Sequence, residues 1–463
     1  MTERERKLRM LTLIPFFARR LVSGRTARAL VACLMLVAGH AAHAAIPIQH
    51  WQHASGAKVY LVESPVIPML DVQIDVDGGS RRDPAGQAGL ASATADMLSA
   101  GTLAHEGQSA LDEHQLAEAW TDLGASFGAE VSGERFTLSL RTLTEPALLR
   151  QAVALAARQM AVPAWPGPVW QRDRERWAQA LREADMRPGT HADRAFGQAV
   201  YGDHPLGRPT TPETLAAFGV DDMRAFYRQH VAACRANVTL VGAINRQTAD
   251  DIVGRLISAI APNGCPRLAP VPAVEPLQAA VEQRMPFDAA QAQVLIGQPG
   301  IARSDPDYFP LFVGNYILGG GGFVSRLMTE VREKRGLTYG VYSTFMPGLQ
   351  PGPFQIGLTT RPDQAAQAVA LVREVVARFV AEGPTEDELR AAKGYLVNSF
   401  ALRIDSNRKL LGNVANIAWN GLPLDYLDTW TDQVKAVTTA DIRRAFGRVL
   451  QPEHLVTVVV GGR

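Results

Sequence analysis

The sequence has few cysteines, almost no excess of either charge and no long hydrophobic run. Lysine and arginine number 47 against 46 aspartates and glutamates, a net charge of +1, which favours neither nucleic acid nor an anionic membrane as a partner. No segment reaches the roughly 20 apolar residues that a membrane-spanning helix needs, so we predict no stable membrane insertion. Of three cysteines, Cys33 lies near the N-terminus, and spacing alone does not decide whether Cys234 and Cys265 pair.

The first 44 residues have the layout of a secretory signal peptide. Four arginines between positions 19 and 28 precede an apolar run over 29–37, and the small-residue sequence Ala42-His43-Ala44 follows. We predict cleavage after Ala44 and export to the periplasm, with an uncleaved anchor or a start at Met10 as alternatives. Cleavage leaves 39 basic and 44 acidic residues, a net charge of −5. The remaining chain is long enough for two ordinary domains.

An internal duplication organises this remaining chain. A helical string that begins at Asp222 is followed by the strand-like segment Val238-Thr239-Leu240-Val241-Gly242. The same order recurs with a helical string that begins at Asp441 and the segment Thr457-Val458-Val459-Val460-Gly461. Such long self-similarity predicts two homologous domains, with a period of roughly 220 residues.

A proline-rich segment separates the two repeats. Five prolines between 261 and 277, with little apolar periodicity, predict an extended linker. We therefore divide the chain into a signal peptide (1–44), an N-terminal domain (45–260), the linker (261–277) and a C-terminal domain (278–463). Strands open and close each domain, and helical stretches lie between them. This order predicts an α+β fold in which helices pack on one face of a mainly antiparallel sheet.

Several strings in the two halves resemble a known family. They are Asp77-Gly78-Gly79-Ser80-Arg81-Arg82-Asp83, Gly101-Thr102, His204-Pro205-Leu206-Gly207-Arg208-Pro209, Ser325-Arg326-Leu327 and the segment from Arg332 to Tyr339. Their order and spacing on a duplicated chain resemble the pitrilysin-like (inverzincin, M16) metallopeptidases, in the small bacterial branch related to mitochondrial processing peptidase. The resemblance covers nearly all of the mature chain.

The zinc motif of that family is degenerate in this sequence. Active members carry His-x-x-Glu-His on a helix, because histidines at i and i+4 can share one zinc while the glutamate acts as general base. Alignment on Gly89-Leu90-Ala91 and Met97-Leu98 places Ser92, Ala95 and Asp96 in these three positions. We therefore predict no metal in this chain, although Asp173, Glu175 and Glu183 lie near the place that the resemblance implies for a further acidic ligand.

The second half contains two residues that match the substrate-binding pair of the family. Active relatives use an arginine and a tyrosine seven residues apart to hold the substrate backbone beside the zinc, and Arg332 and Tyr339 match both identities and the spacing. A guanidinium fork suits a peptide carbonyl, and a phenol can donate to the oxygen that gains charge during hydrolysis. The run of Gly319, Gly320, Gly321 and Gly322 is a further candidate, either as a hinge or as a substrate-binding loop.

Together these residues suggest a chain that takes part in peptide hydrolysis without holding the metal. The resemblance implies a heterodimer with a homologous subunit that carries His-x-x-Glu-His and zinc, so that Arg332 and Tyr339 act across a shared chamber on peptide substrates. We expect the chain to be inactive alone. The alternative is a catalytically inert scaffold or peptide-binding protein of the same fold.

Overall fold

The computed structural model describes residues 46–260, 265 and 267–462. The predicted signal peptide and its cleavage site lie outside these residues, as does part of the predicted linker. Contacts divide the chain into Met1–Ile46 and Pro47–Arg463, and all that follows concerns the second unit. Among the described residues, no helix combines the length and apolarity required to cross a membrane.

The strands fall into two groups along the chain. The first part contains β1 (Gln49–Gln52), β2 (Lys58–Glu63), β3 (Met69–Val76), β4 (Gly101–Thr102), β5 (Leu111–Asp112), β6 (Ser126–Val131), β7 (Phe136–Leu143) and β8 (Asn237–Gly242). The second part contains β9 (Val281–Met285), β10 (Ala292–Pro299), β11 (Val341–Phe345), β12 (Pro353–Thr360) and β13 (Val456–Val460).

Helices connect these strands. The α-helices of the first half are α1 (Leu90–Met97), α2 (Glu113–Asp122), α3 (Pro146–Ala161), α4 (Gly167–Ala184), α5 (Pro188–Tyr201), α6 (Pro212–Ala216), α7 (Val220–His230) and α8 (Arg246–Ser258). Those of the second half are α9 (Tyr308–Asn315), α10 (Ala365–Glu382), α11 (Glu386–Asn398), α12 (Asn407–Asn420), α13 (Tyr426–Ala436) and α14 (Thr439–Val449). Two π-helices, Tyr316–Gly320 and Met328–Glu333, lie between α9 and β11.

Two large sheets are built from these strands. The first has the order β1-β2-β8-β3-β7-β6 and the second the order β11-β12-β10-β13-β9, while β4 and β5 form a separate pair. Neighbouring strands are antiparallel except for β2 with β8 and β9 with β13, which are parallel. This topology confirms the predicted α+β class with mainly antiparallel sheets.

The strand orders also show the duplication directly. Read from its β9 edge, the second sheet repeats the first without β1, so that β9, β13, β10, β12 and β11 correspond to β2, β8, β3, β7 and β6. The two repeated strand segments noted in the sequence are β8 and β13, which occupy the same position in each sheet. The edge strands β6 and β11 are therefore equivalent, and each belongs to a hairpin.

Each sheet is covered on one face by helices of its own half. In the first half, Val72 and Ile74 of β3 pack with Leu98 and with residues of α1, α3 and α7 in one apolar cluster. In the second half, Val294 and Ile296 of β10 pack in the same way with residues of α9, α10 and α14. The central strands are buried on both faces, which explains their continuous apolar runs.

The opposite face of each sheet is covered by a helix from the other half. Helix α5 of the first half lies on β10 and β13, and helix α12 of the second half lies on β8 and β3. The α5 contact is apolar and includes Phe196 and Val200 against Leu295 and Val458. The two halves therefore exchange one helix each, which fixes them to one another.

A disulfide connects the end of the first half to the chain that leads into the second. Cys234 and Cys265 are bonded, which answers the question that their spacing left open. Further along, Arg82 donates a hydrogen bond to the carbonyl of Ala269, and a ring nitrogen of His204 lies 3.1 Å from the carbonyl of Pro272. The described part of this segment is thus tied to the first half at several points.

Candidate functional site

Helix α1 carries the three positions that correspond to the zinc motif. Its N-terminus is fixed by Asp83, whose carboxylate accepts hydrogen bonds from the backbone N–H groups of Gly89 and Ala91, both at 2.8 Å. Burial raises the pKa of Asp83 to about 6, although these two hydrogen bonds act in the opposite direction. The aspartate that closes the Asp77–Asp83 string is therefore a helix cap, and it holds α1 in place.

The three motif positions offer almost no metal chemistry. Ser92 is half-buried, Ala95 is 3% exposed, and Asp96 is exposed. The surrounding protein nevertheless desolvates the Asp96 carboxyl enough to raise its pKa, and the nearby Asp173 carboxylate raises it further.

An arginine engages the carboxylates beside these positions. Arg172 donates from Nε to Asp173 (2.8 Å), and its two terminal nitrogens donate to the Glu113 carboxylate at 2.9 and 3.1 Å. The other acidic candidates lie on the same helix and accept from glutamine side chains, Glu175 from Gln171 and Glu183 from Gln179. The local charge is thus balanced by arginine.

The residues of this region do not fit a zinc ion. Zinc sites in proteins use histidine, cysteine or carboxylate ligands in sets of three or four, and neither Ser92 nor Ala95 supplies one. Within residues 46–260, 265 and 267–462 there is no group of three or more histidine, cysteine, aspartate or glutamate side chains placed to hold a metal ion. We therefore derive no chemical step at a metal in this half.

Arg332 lies in the second half, in the π-helix Met328–Glu333. Its guanidinium carbon is 4.7 Å from the centroid of the Phe323 ring. The two neighbouring cations are engaged differently, because Lys334 and Arg335 both bind the Glu330 carboxylate, at 2.8 and 2.6 Å. Among the described side chains, the Arg332 guanidinium has no hydrogen-bond or carboxylate partner, so its donors remain available.

Tyr339 lies seven residues further on, in the turn before β11. Its side chain is 85% exposed, more than that of any other tyrosine among the exposed large side chains of the described chain. Thr338 fixes the turn, because its hydroxyl lies 2.8 Å from the carbonyl of Gly340 and 2.7 Å from that of Thr359. Leu337 is buried on the inner side. The tyrosine hydroxyl is therefore presented to solvent by an anchored backbone.

The glycine run packs closely against its surroundings. A Cβ atom at Gly319 would lie 2.5 Å from the Ser343 hydroxyl, and one at Gly321 would lie 2.7 Å from the carbonyl of Tyr316. Gly322 has a φ of +61°, a conformation that favours glycine. The run thus ends the first π-helix in a tight turn and leads directly to Phe323, which is 65% exposed.

Sequence reasoning missed Phe323 and the carboxylate network around Arg172. The sequence signal that could have indicated Phe323 was its position directly after four glycines. No sequence signal could have paired Arg172 with Glu113, because 59 residues separate them and they belong to different helices.

Comparison with known proteins identifies the family of the chain. Residues 217–396, which include both Arg332 and Tyr339, match the family described as Peptidase M16 inactive domain. The crystal structure of a peptidase M16 inactive domain from Pseudomonas fluorescens is 32% identical, with a TM-score of 0.84, over 90% of this chain and 98% of that one. The chain belongs to the M16 peptidase family.

Curated relatives of this M16 chain have names of two kinds. A Streptomyces coelicolor protein named as an uncharacterized zinc protease is 30% identical over 294 residues, which span 60% of this chain and 62% of that relative. The non-peptidase homolog YmxG of Helicobacter pylori is 26% identical over 402 residues, 84% of this chain and 89% of that protein. The family thus contains relatives named as proteases and a relative named as a non-peptidase.

Proposed function

We propose that this M16 chain is the non-zinc subunit of a heterodimeric peptidase. A homologous subunit with His-x-x-Glu-His holds the zinc, and this chain places Arg332 and Tyr339 opposite that zinc in a shared chamber. The chain alone is inactive in this proposal, because its own Ser92, Ala95 and Asp96 supply neither the ligands nor the base. It contributes to peptide hydrolysis only when the partner is present.

The observation that carries the proposal is the unengaged state of Arg332. The neighbouring cations Lys334 and Arg335 are both paired with the Glu330 carboxylate. Arg332 instead rests on an aromatic ring, which leaves its five N–H donors free. An arginine with free donors is suited to a ligand that approaches from outside the chain.

The chemistry of these two residues suits the backbone of a bound peptide. The planar fork of Arg332 can donate two parallel hydrogen bonds to a carbonyl or carboxylate group, and the hydroxyl of Tyr339 can donate to an oxygen that gains negative charge. The partner's zinc would supply the attacking water. The residues of this chain bind the peptide and stabilise charge, and they transfer no atoms themselves.

The proposed compartment is the periplasm. Two observations support it: the signal-peptide pattern of residues 1–44 and the Cys234–Cys265 disulfide, since disulfides persist mainly in oxidising compartments. The proposed substrates are peptides, and the proposed partner is the zinc-bearing M16 subunit of the same cell.

The proposal is tested by preparing the mature chain alone and together with a His-x-x-Glu-His subunit of the same cell. We expect peptide hydrolysis and bound zinc, measured by atomic emission, only in the mixed complex. Hydrolysis or stoichiometric zinc in the isolated chain would contradict the proposal. A stable mixed complex that stays inactive against a peptide library would instead favour the inert scaffold.

A further inference from the structure

The tips of two equivalent hairpins meet where the halves of the molecule join. The β6–β7 hairpin of the first half turns at residues 132–135, and the β11–β12 hairpin of the second half turns at residues 346–352. Glu134 lies at the first tip, and its side chain is only 16% exposed. We call the contact of these two tips the hairpin junction.

The Glu134 carboxylate accepts four hydrogen bonds at this junction. Two come from consecutive backbone N–H groups of the second half, those of Leu349 at 2.9 Å and Gln350 at 3.0 Å. A third comes from the indole nitrogen of Trp419 at 3.2 Å, and the fourth from Arg81 at 2.9 Å. Consecutive N–H groups that converge on one anion form a nest, an arrangement that favours negative charge.

Two glycines lie close to Glu134, one on each side of the hairpin tip. A Cβ atom at Gly348 would lie 2.8 Å from the nearer Glu134 oxygen, and a Cβ atom at Gly79 would lie 2.3 Å from the Glu134 carbonyl carbon. The N–H of Gly79 also donates to the carbonyl of Glu134 at 3.2 Å. Glycines on both sides thus allow two chain segments to approach the hairpin tip closely.

The exchanged helix α12 is part of the same junction. Near the C-terminal end of α12, the Arg135 guanidinium carbon lies 5.5 Å from the centroid of the Trp419 ring. The indole nitrogen of Trp419 donates to Glu134. Arg135 also lies 3.7 Å from Asp75, which is fully buried in β3 under this helix. The Glu134 side chain therefore holds both the 346–352 loop and helix α12 of the second half against the first sheet.

The loop held by Glu134 is directly connected to the candidate site. Strand β11 begins two residues after Tyr339 and ends one residue before this loop. In the middle of the strand, Ser343 donates to Asn315 at 2.7 Å and packs against Gly319 of the glycine run. A displacement of the loop along the strand would thus move Tyr339 and the turn that carries Phe323.

We propose that Glu134 is a positioning residue, which sets the register between the two halves and so directs Arg332 and Tyr339 towards the partner subunit. It touches neither substrate nor metal in this account. The inference about catalysis rests on the proposed function, but the inference about the junction does not.

The test uses the variant Glu134→Gln, which keeps the size of the side chain but replaces one acceptor oxygen by a donor. The amide cannot accept from all four donors, so the N–H groups of Leu349 and Gln350 lose part of their bonding. Because hydrogen bonds to a charged acceptor are stronger than those to a neutral one, we expect hydrogen–deuterium exchange of residues 346–352 to be about tenfold faster. The matched control is Glu130→Gln, an exposed glutamate on the same hairpin, which should leave this exchange unchanged.

Activity of the mixed complex supplies the second readout. We expect Glu134→Gln to lower kcat about tenfold while KM stays within about twofold, with zinc content and complex formation unchanged, because misplacement of positioning groups slows turnover. Trp419→Phe removes one donor and keeps the ring, so it should give the same changes with smaller size. That second variant tests the junction even if Glu134→Gln fails to fold.

The outcomes separate the two levels of the inference. Unchanged exchange of residues 346–352 in both variants would overturn the junction itself. Faster exchange with normal kcat would overturn the positioning role and leave Glu134 as a structural residue. If the wild-type mixed complex shows no activity, the proposed function fails, and the exchange measurement still decides whether Glu134 holds the two tips together.

Discussion

The two halves of this M16 chain share one sheet topology but differ in how their charged side chains are engaged. In the first half, Arg172 is bound to the carboxylates of Glu113 and Asp173. In the second half, the side chains of Arg332 and Tyr339 have no hydrogen-bond partner among the described residues. The charged side chains of one half are thus paired with each other, while Arg332 in the other half keeps its donors available.

The exchanged helices show a second difference between the halves. Helix α5 lies on an apolar face of the second sheet, formed by Leu295, Val456, Val458 and Val460. Helix α12 lies on a face of the first sheet that contains the two buried aspartates of β3, Asp71 and Asp75. Burial raises the pKa of both carboxyls. One contact is therefore stabilised mainly by packing, and the other requires hydrogen bonds and ion pairs.

The largest expected effect concerns the apolar contact. Phe196 is 4% exposed, and its ring packs against Gly297 of β10. Phe196→Ala should lower the free energy of unfolding by about 3–5 kcal/mol, because it removes a buried aromatic ring and leaves a cavity. Chemical denaturation measures this loss. The matched change on the exposed side of α5, Gln198→Ala, should cost less than about 0.5 kcal/mol, and equal losses would contradict the assignment of the contact.

The next prediction concerns how the unfolding free energy depends on pH through His230 of the first half. Burial lowers the pKa of His230 to about 4 from a usual value of 6.5, since the ring is 5% exposed behind the carbonyl of Asp77. A group with a lowered folded-state pKa contributes stability above its unfolded pKa and loses it as the pH falls to the folded value. We expect the unfolding free energy to fall by roughly 3 kcal/mol from this group between pH 6.5 and 4.

This dependence is measured by denaturation at a series of pH values. The variant His230→Gln should flatten the slope of stability in this window, whatever its own stability. An unchanged slope in His230→Gln would show that the acid sensitivity has another source. Asp83 acts in the opposite sense, because its raised pKa of about 6 makes its contribution fall as the pH rises from 3.8 to 6.

A smaller effect tests the hydroxyl of Tyr339. Tyr339→Phe removes one donor to the oxygen that gains charge, and should lower kcat/KM of the mixed complex about tenfold or more. Tyr342, which is 50% exposed on β11, offers a matched control. Tyr342→Phe should leave kcat/KM within about twofold, and a comparable loss in both variants would refute a specific role for Tyr339.

The smallest effect concerns the ring beneath Arg332. Phe323→Leu keeps an apolar side chain but removes the face on which the guanidinium rests, an interaction worth about 0.5–1 kcal/mol at an exposed position. We expect kcat/KM of the mixed complex to fall by about twofold to fivefold. Phe323→Tyr retains an aromatic face and should restore the wild-type value. Equal losses in both variants would mean that the ring does not position Arg332.

Local and duplicated features of the fold could be predicted from the sequence. Strands β2 and β3 and helix α10 follow their apolar periodicity, and the repeated strings correctly indicated two equivalent sheets. Helix ends depend on single side chains instead: α2 begins at Glu113, because Asp112 accepts a hydrogen bond from the N–H of Gln115 and caps the helix there. Capping by a side chain overrides periodicity at helix ends.

Contacts between distant segments could not be predicted. The exchange of α5 and α12 depends on how the two sheets pack against each other. The apolar periodicity of a helix does not indicate which sheet that helix covers. The same applies to Glu134, which looks like an ordinary turn residue in the sequence but accepts hydrogen bonds from residues 215 and 216 positions later. The roles of Arg332 and Tyr339 remain predictions from the family resemblance, supported by the exposed ring of Tyr339 and by the half-buried Arg332 guanidinium, which has no hydrogen-bond partner among the described residues.

The central claim is that Arg332 of this chain acts at the zinc of a partner subunit. The most direct measurement is the kcat/KM of the mixed complex with Arg332→Ala in this chain and an unchanged partner, with zinc content measured on the same sample. Arg335→Ala, which removes a cation already paired with Glu330, is the matched control. The account predicts a loss of about 10²–10³ with Arg332→Ala, full zinc content and a near-normal control. Full activity of the Arg332→Ala complex would contradict it.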